Sequence, residues 1–283
     1  MKIIFVGLGS IASRHIKNIK QIAPESKIAI WRQHSSNSDL GDLNNLVEAV
    51  FFSQSQACQW SPEAAFITNP ASNHCQAALA FARVNSHLFI EKPLSDSLES
   101  VDELLAEVKQ RKLTAMVGYM LRFHQPLRVV KEAIFQGKLG KILSVKASVG
   151  QNLLDWRPQK RYQDTVSAKK ELGGGVLLEL SHEIDYVRWL AGEIDNISAF
   201  SGKVGQLEVD VEDIAELNLK FKSGAMGNIH LDMLDMAANR SCRIIGEKAT
   251  IKWESSSTSD ELKIYSSKES GWQDLFSSNR EDK

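Results

Sequence analysis

The stretch KIIFVGLGSIA, residues 2–12, decides the fold of this chain of 283 residues. Its first half, Lys2–Val6, is an apolar run that predicts a buried strand, and a helical pattern follows it. Between them the residues fit G-x-G-x-x-A, ending at Ala12. Gly7 permits the tight turn, Gly9 lets a ligand approach the backbone, and the small Ala12 lets the helix pack on the sheet.

This turn and helix start predict a phosphate site. The first N–H groups of a helix have no partner within the helix, and the positive end of the helix dipole attracts anions. We therefore predict a dinucleotide-binding βαβ unit whose phosphate-binding residues are Gly7, Gly9, Ser10 and Ile11. The alternative is a tight strand-to-helix turn that binds no ligand.

The end of the second predicted strand, Lys27–Trp31, selects between NAD and NADP. The Asp or Glu that would bind the ribose 2′-hydroxyl of NAD is missing there, and Arg32 lies near its place. A guanidinium can pair with the 2′-phosphate of NADP, and Ser35 and Ser36 could donate further hydrogen bonds. The sequence favours NADP over NAD. The alternative is that Arg32 is only a solvated charge at the end of a strand.

The alternation of strands and helices changes near residue 120. Before it, strands alternate with amphipathic helices, which predicts an α/β domain over residues 1–120 with a Rossmann, doubly wound parallel sheet. After it, strands follow one another closely, which predicts an α+β domain over residues 121–283 with a large, mainly antiparallel open sheet. Gly173–Gly175 is expected to open one long helix, Val176–Leu190, and the polar end of the chain is expected to be a frayed tail.

The tripeptide Glu91-Lys92-Pro93 follows a predicted parallel strand, His87–Ile90. Ligands of open α/β sheets bind at the carboxyl ends of the strands. A partly desolvated Lys92 there could serve as an acid or base, or could hold a substrate hydroxyl by its charge. The alternative is a solvated lysine at a strand end, which is what most such lysines are.

The composition excludes several classes of partner. The formal net charge is −1, which gives no reason to expect nucleic acid or a membrane surface. The three cysteines are far apart and predict neither a disulfide framework nor a zinc site, and no ligand spacing indicates another metal. We expect a cytoplasmic protein with reduced thiols, with no signal peptide and no apolar run near the ~20 residues of a membrane span.

Seven segments, in this order, resemble the glucose–fructose oxidoreductase and inositol dehydrogenase family, Gfo/Idh/MocA. They are GLGSIASRH, ITNPASNH, FIEKPLS, VGYMLRFHQP, the turn GKLG, DWRPQKRY and GGGVLLELSHEIDYVRWL. Each is unspecific alone, whereas their order and spacing together are highly specific. The resemblance weakens beyond about residue 235, and the further C-terminal helix common in the family is not found, so the chain is short for it.

The resemblance implies hydride transfer between a nicotinamide and a hydroxyl-bearing carbon of a sugar or cyclitol. Lys92 matches the family's catalytic or substrate-orienting lysine, and His182 matches a histidine that acts in proton transfer, with Asp185 downstream of it. Many members carry an Asp four residues before that histidine, where this chain has Leu178. Glu179 is the candidate replacement, and the alternative is that no such pair forms.

The resemblance also implies further ligand-binding residues. Those expected to approach the cofactor are Thr68, Asn69, His74, Glu91, Lys92 and Arg122, and those expected to reach the substrate are Trp156, Arg157 and Tyr162, together with Lys92 and His182. Exposed apolar strand faces would favour a homodimer or homotetramer. Two other functions stay open: a non-catalytic NAD(P)-sensing regulator of the same fold, and a reductase of a non-sugar substrate.

Overall fold

The computed structural model describes residues 1–32, 40–267 and 271–279. The chain forms two compact units: the first holds Met1–Gly118 and Glu171–Gly173, and the second holds Tyr119–Lys170 and the described residues from Gly174 onward. Each unit has its own buried hydrophobic residues. In the described part of the chain, every helix is too short or too polar to cross a membrane.

The first unit is built on a six-stranded parallel sheet. Its strands are β1 (Lys2–Val6), β2 (Lys27–Trp31), β3 (Ala49–Phe51), β4 (Ala64–Ile67), β5 (His87–Ile90) and β6 (Ala115–Val117), in the order β3-β2-β1-β4-β5-β6. Every neighbouring pair is parallel. The chain adds strands on one side of β1 and then on the other, so the predicted doubly wound sheet is confirmed.

The helices of the first unit are α1 (Ser10–Ile22), α2 (Gln54–Gln59), α3 (His74–Ala82) and α4 (Val101–Gln110). The sequence did not predict β3 or α2. The reason is their length: β3 has three half-buried residues and α2 has six residues with one buried side chain, Ala57, so neither shows a clear hydrophobic period.

The second unit is built on an eight-stranded sheet. Its strands are β7 (Ile142–Gly150), β8 (Ile194–Gly202), β9 (Ile214–Phe221), β10 (Met226–Asp232), β11 (Asn239–Gly246), β12 (Ala249–Ser255), β13 (Ser259–Ser266) and β14 (Gln273–Asn279), in the order β14-β13-β12-β11-β7-β10-β9-β8. Only the pair β7–β10, in the interior of the sheet, is parallel among these described strands. The predicted mainly antiparallel sheet is confirmed.

The predicted single helix over Val176–Leu190 is wrong. The structure has α7 (Val176–Glu179) and α8 (His182–Ala191), separated at Leu180, whose φ of −101° and ψ of 23° leave the helical region. The two helices contact different elements, because α7 packs against β9 and β10 whereas α8 packs against β7 and α5 (Gln125–Phe135). The break lets each apolar face reach its own part of the sheet. The remaining helix of this unit is α6 (Leu153–Trp156).

The expectation of a frayed C-terminal tail is also wrong for the part that the structure describes. Residues 273–279 form β14, which pairs antiparallel with β13. Leu275 and Phe276 pack against the hydrophobic core of the unit. Two adjacent apolar side chains in a polar segment are a weak signal for a strand. The backbone pairing with β13 is what makes this segment a strand.

Candidate functional site

The loop after β1 has the geometry of a phosphate cradle. Gly7 has a φ of +84°, and a Cβ added to it would lie 3.1 Å from the Cα of Asn69, so a side chain would be both strained and crowded. A Cβ added to Gly9 would meet no protein atom within 4 Å. Gly9 caps the N-terminus of α1, whose first turn holds no acidic residue. The exposed N–H groups and the uncompensated helix dipole fit a pyrophosphate.

This loop lies where the order of the strands reverses. Val6 at the end of β1 is flanked by Trp31 of β2 and Ile67 of β4, so α1 starts at the topological switch point of the sheet, where such folds bind ligands. Arg32 follows β2 directly, and its backbone N–H donates to the oxygen of Phe51 at 2.9 Å. Arg32 is half-buried, and its role in recognising the ribose stays a prediction. The predicted Ser35 lies outside the described residues.

The loop after β4 is held by hydrogen bonds to its neighbours. The hydroxyl of Thr68 donates to the oxygen of Val6 at 2.8 Å. The two ring nitrogens of His74 each lie 2.8 Å from a carbonyl oxygen, that of Pro93 and that of Asn69. His74 is 1% exposed. It therefore joins the loop after β4 to the Glu-Lys-Pro corner.

Two further properties of this loop bear on ligand binding. Burial lowers the pKa of His74, against the opposing effect of the two carbonyl oxygens at its ring nitrogens. Asn69 presents a buried side-chain oxygen that has no hydrogen-bond partner among the described residues. An orphaned acceptor beside the glycine loop fits a ligand that donates a hydrogen bond there.

The Glu-Lys-Pro corner follows β5 and contains a cis bond between Lys92 and Pro93. The side chain of Glu91 is fixed at both oxygens: Oε1 lies 2.7 Å from Nε2 of His15, and Oε2 accepts the backbone N–H of Lys92 at 3.2 Å. Sequence reasoning gave His15 no role. It stands in one of the segments that resemble the family, yet 76 residues separate it from Glu91, so no local pattern reveals the pair.

In the second unit, the residues predicted to act with His182 form two contacts. Asp185 binds the guanidinium of Arg122 through both oxygens, at 2.8 and 2.6 Å. His182 is the first residue of α8, and its ring meets the ring of Tyr119 edge-on, with centroids 5.7 Å apart. Burial raises the pKa of Tyr119, which keeps its phenol neutral. Arg122 and Asp185 thus engage each other and fix the start of α8 to the turn Met120–Phe123.

The carboxylates near His182 differ in their surroundings. Glu179 is half-buried and ends α7, on the other side of the helix break from His182. Glu183 follows His182, is fully buried and pairs with Arg240, with Nε and Oε1 2.7 Å apart. Sequence reasoning did not single out Glu183, because its ion partner lies 57 residues away on β11.

The glycines before α7 serve packing. A Cβ added to Gly174 would lie 2.3 Å from the oxygen of Val166, and one added to Gly175 would lie 2.5 Å from Oε1 of Glu212. That same oxygen of Glu212 accepts the backbone N–H of Leu177 at 3.1 Å, in the first turn of α7. The close approach of this carboxylate explains why the helix start needs glycine.

Three of the residues predicted to reach the substrate lie close together in the chain of the second unit: Trp156 ends α6, and Arg157 and Tyr162 follow it. Trp156, Arg157 and Tyr162 line a small cavity, together with Leu153, Thr165 and Ser167. The indole N–H of Trp156 donates to the oxygen of Gln151 at 3.1 Å. The hydroxyl oxygen of Tyr162 accepts the backbone N–H of Glu208 at 3.0 Å. These bonds hold the loop, whereas Arg157 is exposed.

Models of known protein families match both units. The model of the oxidoreductase family with an NAD-binding Rossmann fold matches residues 1–119, and the model of the GFO/IDH/MocA C-terminal domain matches residues 127–252. The chain belongs to the GFO/IDH/MocA oxidoreductase family. The resemblance found in the motifs is therefore confirmed. In the described part of the chain, no group of three or more His, Cys, Asp or Glu could hold a metal ion.

Individual GFO/IDH/MocA proteins show how far the similarity extends. Myo-inositol 2-dehydrogenase of Thermotoga maritima is 28% identical over 248 residues, 81% of this chain and 67% of that protein. Levoglucosan dehydrogenase of Pseudarthrobacter phenanthrenivorans is 27% identical over 187 residues, 58% of this chain and 47% of that protein. The crystal structure of the Bordetella pertussis WlbA dehydrogenase with NADH and UDP-GlcNAcA superposes with a TM-score of 0.81 and 25% identity, over 90% of this chain and 79% of that one. Among five curated relatives, the chain spans between 42% and 67% of their length.

Proposed function

We propose that this chain is a nicotinamide-dependent oxidoreductase that interconverts a hydroxyl and a carbonyl on a sugar-like or cyclitol substrate. Lys92 and His182 are the residues that exchange the hydroxyl proton. The observation that carries the proposal is the place of Lys92, directly after β5, at the same carboxyl edge of the parallel sheet as the glycine loop after β1. Membership of an oxidoreductase family supports it.

The proposed chemistry divides between a bound nicotinamide and the residues of the chain. When bound, a nicotinamide would supply the hydride acceptor for oxidation of the carbinol carbon and the hydride donor for the reverse reduction. The ammonium of Lys92 holds the hydroxyl oxygen, because a positive charge stabilises the alkoxide character that develops as the hydride leaves. The hydroxyl proton passes to the imidazole of His182 while Lys92 remains an ammonium, or to Lys92 where that side chain starts as the neutral amine, and it returns in the reverse direction.

Contacts within the second unit support this role of His182, because they restrict the orientation of its ring and of the helix that carries it. The edge contact with Tyr119 limits the rotation of the imidazole, and the Asp185–Arg122 pair fixes the first turn of α8. Because both oxygens of Asp185 are engaged by Arg122, we assign Asp185 a positioning role and propose Glu179 as the carboxylate that assists His182. The exposed Arg157 is the proposed substrate-binding group of the loop that also carries Trp156.

The proposal includes NADP as the preferred cofactor. Its support is Arg32, which follows β2 where an acidic residue would select NAD. The Bordetella pertussis structure holds NADH, so relatives do not decide the preference for this chain. A homodimer or homotetramer is also proposed, since the edge strand β8 exposes Ile197 and Phe200 by 54% and 77%.

The test is a spectrophotometric assay with NADP and with NAD against a panel that includes myo-inositol and levoglucosan. We expect turnover with NADP, and a loss of roughly 10²- to 10⁴-fold in kcat for Lys92→Ala, the range for a lost acid or base. Lys109→Ala, an exposed lysine at the end of α4, is the matched control and should leave kcat unchanged.

Each arm of this assay can overturn one part of the proposal. Full turnover of Lys92→Ala would remove the proposed role of that lysine. Tighter binding of NAD than of NADP would refute the argument from Arg32. Tight cofactor binding without turnover of any sugar, acid or aldehyde would favour a cofactor-sensing regulator over an enzyme.

A further inference from the structure

We infer that His15 and Glu91 form a positioning pair that fixes the reactive corner at Lys92 to the helix of the phosphate loop. The inference rests on the proposed function of Lys92 and adds to it a residue, His15, with no role in the chemistry itself. All residues involved belong to the first unit.

The position of His15 follows from the fold of its unit. It lies on α1, two turns after the glycine loop, and its Nε2 is 2.7 Å from Oε1 of Glu91. The two side chains are only 22% and 15% exposed. A charge-assisted hydrogen bond at this distance and with this little solvent is among the stronger kinds, so the carboxylate has one preferred orientation.

Aromatic rings hold the imidazole in place. Phe5, Phe66 and Phe89 lie opposite one another on the neighbouring strands β1, β4 and β5. The ring of His15 meets that of Phe89 edge-on at a centroid distance of 5.0 Å and that of Phe66 at 5.7 Å. Because the imidazole of His15 packs against these phenylalanine rings, its Nε2 already points towards Glu91. Little side-chain entropy is therefore lost when the hydrogen bond forms.

The carboxylate of Glu91, which is oriented by His15, also contacts the backbone of Lys92. Its second oxygen accepts the backbone N–H of Lys92 at 3.2 Å. On the other side, a Cβ added to Gly118 would lie 3.0 Å from the ring of Phe89 and 3.4 Å from Oε1 of Glu91, so the backbone there closes tightly over the pair. Lys92 therefore starts from a backbone whose direction depends on α1.

This connection has a functional meaning in the proposed reaction. The helix that binds the pyrophosphate and the lysine that handles the hydroxyl must hold a fixed relation, because a misplacement of about 1 Å can cost roughly 10²-fold in rate. His15 and Glu91 are the contacts that set this relation inside the first unit. A substitution that breaks the contact at His15 should therefore lower kcat while leaving cofactor binding nearly intact.

The experiment compares His15→Phe with His15→Gln in the full chain. Phe keeps the aromatic packing and removes the hydrogen bond, and we expect kcat to fall roughly 10- to 100-fold with KM for NADP within about twofold. Gln places an amide N–H near the position of Nε2, and we expect it to restore kcat to within about threefold. His87→Phe is the matched control: this exposed histidine starts β5 at the opposite end of the strand, so losing the hydrogen bond that its Nδ1 accepts from the N–H of Thr114 should leave kcat unchanged.

A second measurement needs no substrate. Hydrogen exchange of the peptide covering residues 88–95 should be about 2- to 10-fold faster at the Lys92 amide in His15→Phe, and near the native rate in His15→Gln. Glu91→Ala should resemble His15→Phe, and the double variant should lose little more than either single variant, because both remove one connection.

The outcomes separate this inference from the proposed function. If Lys92→Ala is inactive while His15→Phe keeps native kcat and native exchange, the positioning pair is refuted and the function stands. If Lys92→Ala is active, the function fails, and the exchange data alone decide whether His15 orders the corner. If the losses in kcat of His15→Phe and Glu91→Ala simply add in the double variant, the two substitutions cause independent packing defects. That result would overturn the inference.

Discussion

The two units present their candidate residues in different ways. In the first unit, Gly7, Arg32, Thr68 and Lys92 come from loops that each follow directly after a parallel strand. The sheet alone brings these loops to one edge, because the carboxyl ends of parallel strands lie side by side. In the second unit, His182 lies on a helix and depends on side-chain contacts for its orientation.

Those contacts in the second unit join residues that are far apart in the chain. Arg122 binds Asp185 across 63 residues, and Arg240 binds Glu183 across 57. The first unit brings its loops together mainly through backbone geometry, whereas the second relies on ion pairs between distant residues. This difference teaches where each unit should be fragile: the first at positions that must be glycine, and the second at the ion pair of Glu183, whose carboxylate is fully buried.

The largest effect is expected at the buried ion pair of the second unit. Glu183 is 0% exposed, so Glu183→Gln keeps the shape but leaves the Arg240 guanidinium without its counter-ion. Removing one partner of a buried pair costs about 3–5 kcal/mol in free energy of unfolding. Chemical denaturation followed by circular dichroism measures this loss.

An exposed ion pair of the same unit supplies the control. Glu193 pairs with Arg188 at 2.8 Å, with both side chains more than half exposed. Glu193→Gln should cost less than about 1 kcal/mol. Equal losses for Glu183→Gln and Glu193→Gln would show that burial does not distinguish the two pairs, and would weaken the contrast drawn between the units.

The next effect separates two glycines of the first unit. Gly7→Ala places a side chain at a φ of +84° and beside Asn69, so it should lower the free energy of unfolding by about 1–3 kcal/mol. Gly9→Ala meets no protein atom and should leave stability within about 0.5 kcal/mol of the native value. Both variants should bind NADP at least about tenfold more weakly, since each places a methyl group at the pyrophosphate cradle.

Thermal melting and titration of NADPH fluorescence measure the two quantities separately. The informative variant is Gly9→Ala, because it tests ligand binding without a defect in folding. Native affinity for NADP in Gly9→Ala would mean that the pyrophosphate does not approach this loop, and the comparison of glycine roles would fail.

The sequence was sufficient to predict what depends on short segments. Strand, glycine turn and helix lie within residues 2–22, and β2, β4 and β5 each end at a change to polar residues or proline. The doubly wound sheet and the predicted phosphate loop could therefore be derived before any coordinates. The same local pattern placed Lys92 correctly at the end of β5.

What could not be predicted depends on contacts between distant residues. The amphipathic pattern of residues 176–190 continues through Leu180, so only the packing of α7 and α8 on different strands reveals the break. His15 and Glu183 have no local signal, because their partners lie 76 and 57 residues away. A pattern within one segment contains no information about which distant charge will meet it.

The smallest effect concerns a histidine on the sheet of the second unit. Nδ1 of His230 contacts Oε1 of Glu216 at 2.5 Å, and Nε2 contacts Oδ2 of Asp232 at 3.0 Å. Burial acts to lower the pKa of His230, but the two carboxylates outweigh it, and the net direction is upward. His74 of the first unit has the opposite shift, since burial lowers its pKa and its two ring nitrogens lie beside carbonyl oxygens instead of carboxylates.

These opposite shifts give opposite dependences of stability on pH. For His230, the folded pKa lies above the unfolded value of about 6.5, so its stabilisation is complete below that value and is lost as pH rises through the folded pKa. For His74, the folded pKa lies below the unfolded value, so stability rises with pH through the interval between the two. Melting temperatures measured from pH 5.5 to 8 contain both contributions.

His230→Gln separates the two contributions, because it removes the histidine that favours low pH and leaves His74 in place. We expect the variant to melt lower than the native chain at pH 6, to differ less at pH 8, and to gain stability more steeply as pH rises. The difference at pH 6 should stay below about 1 kcal/mol, since the side chain of His230 is 30% exposed. His87→Gln, at an exposed position, should leave the profile unchanged. Parallel pH profiles for His230→Gln and the native chain would show that the two carboxylates do not hold a proton on His230.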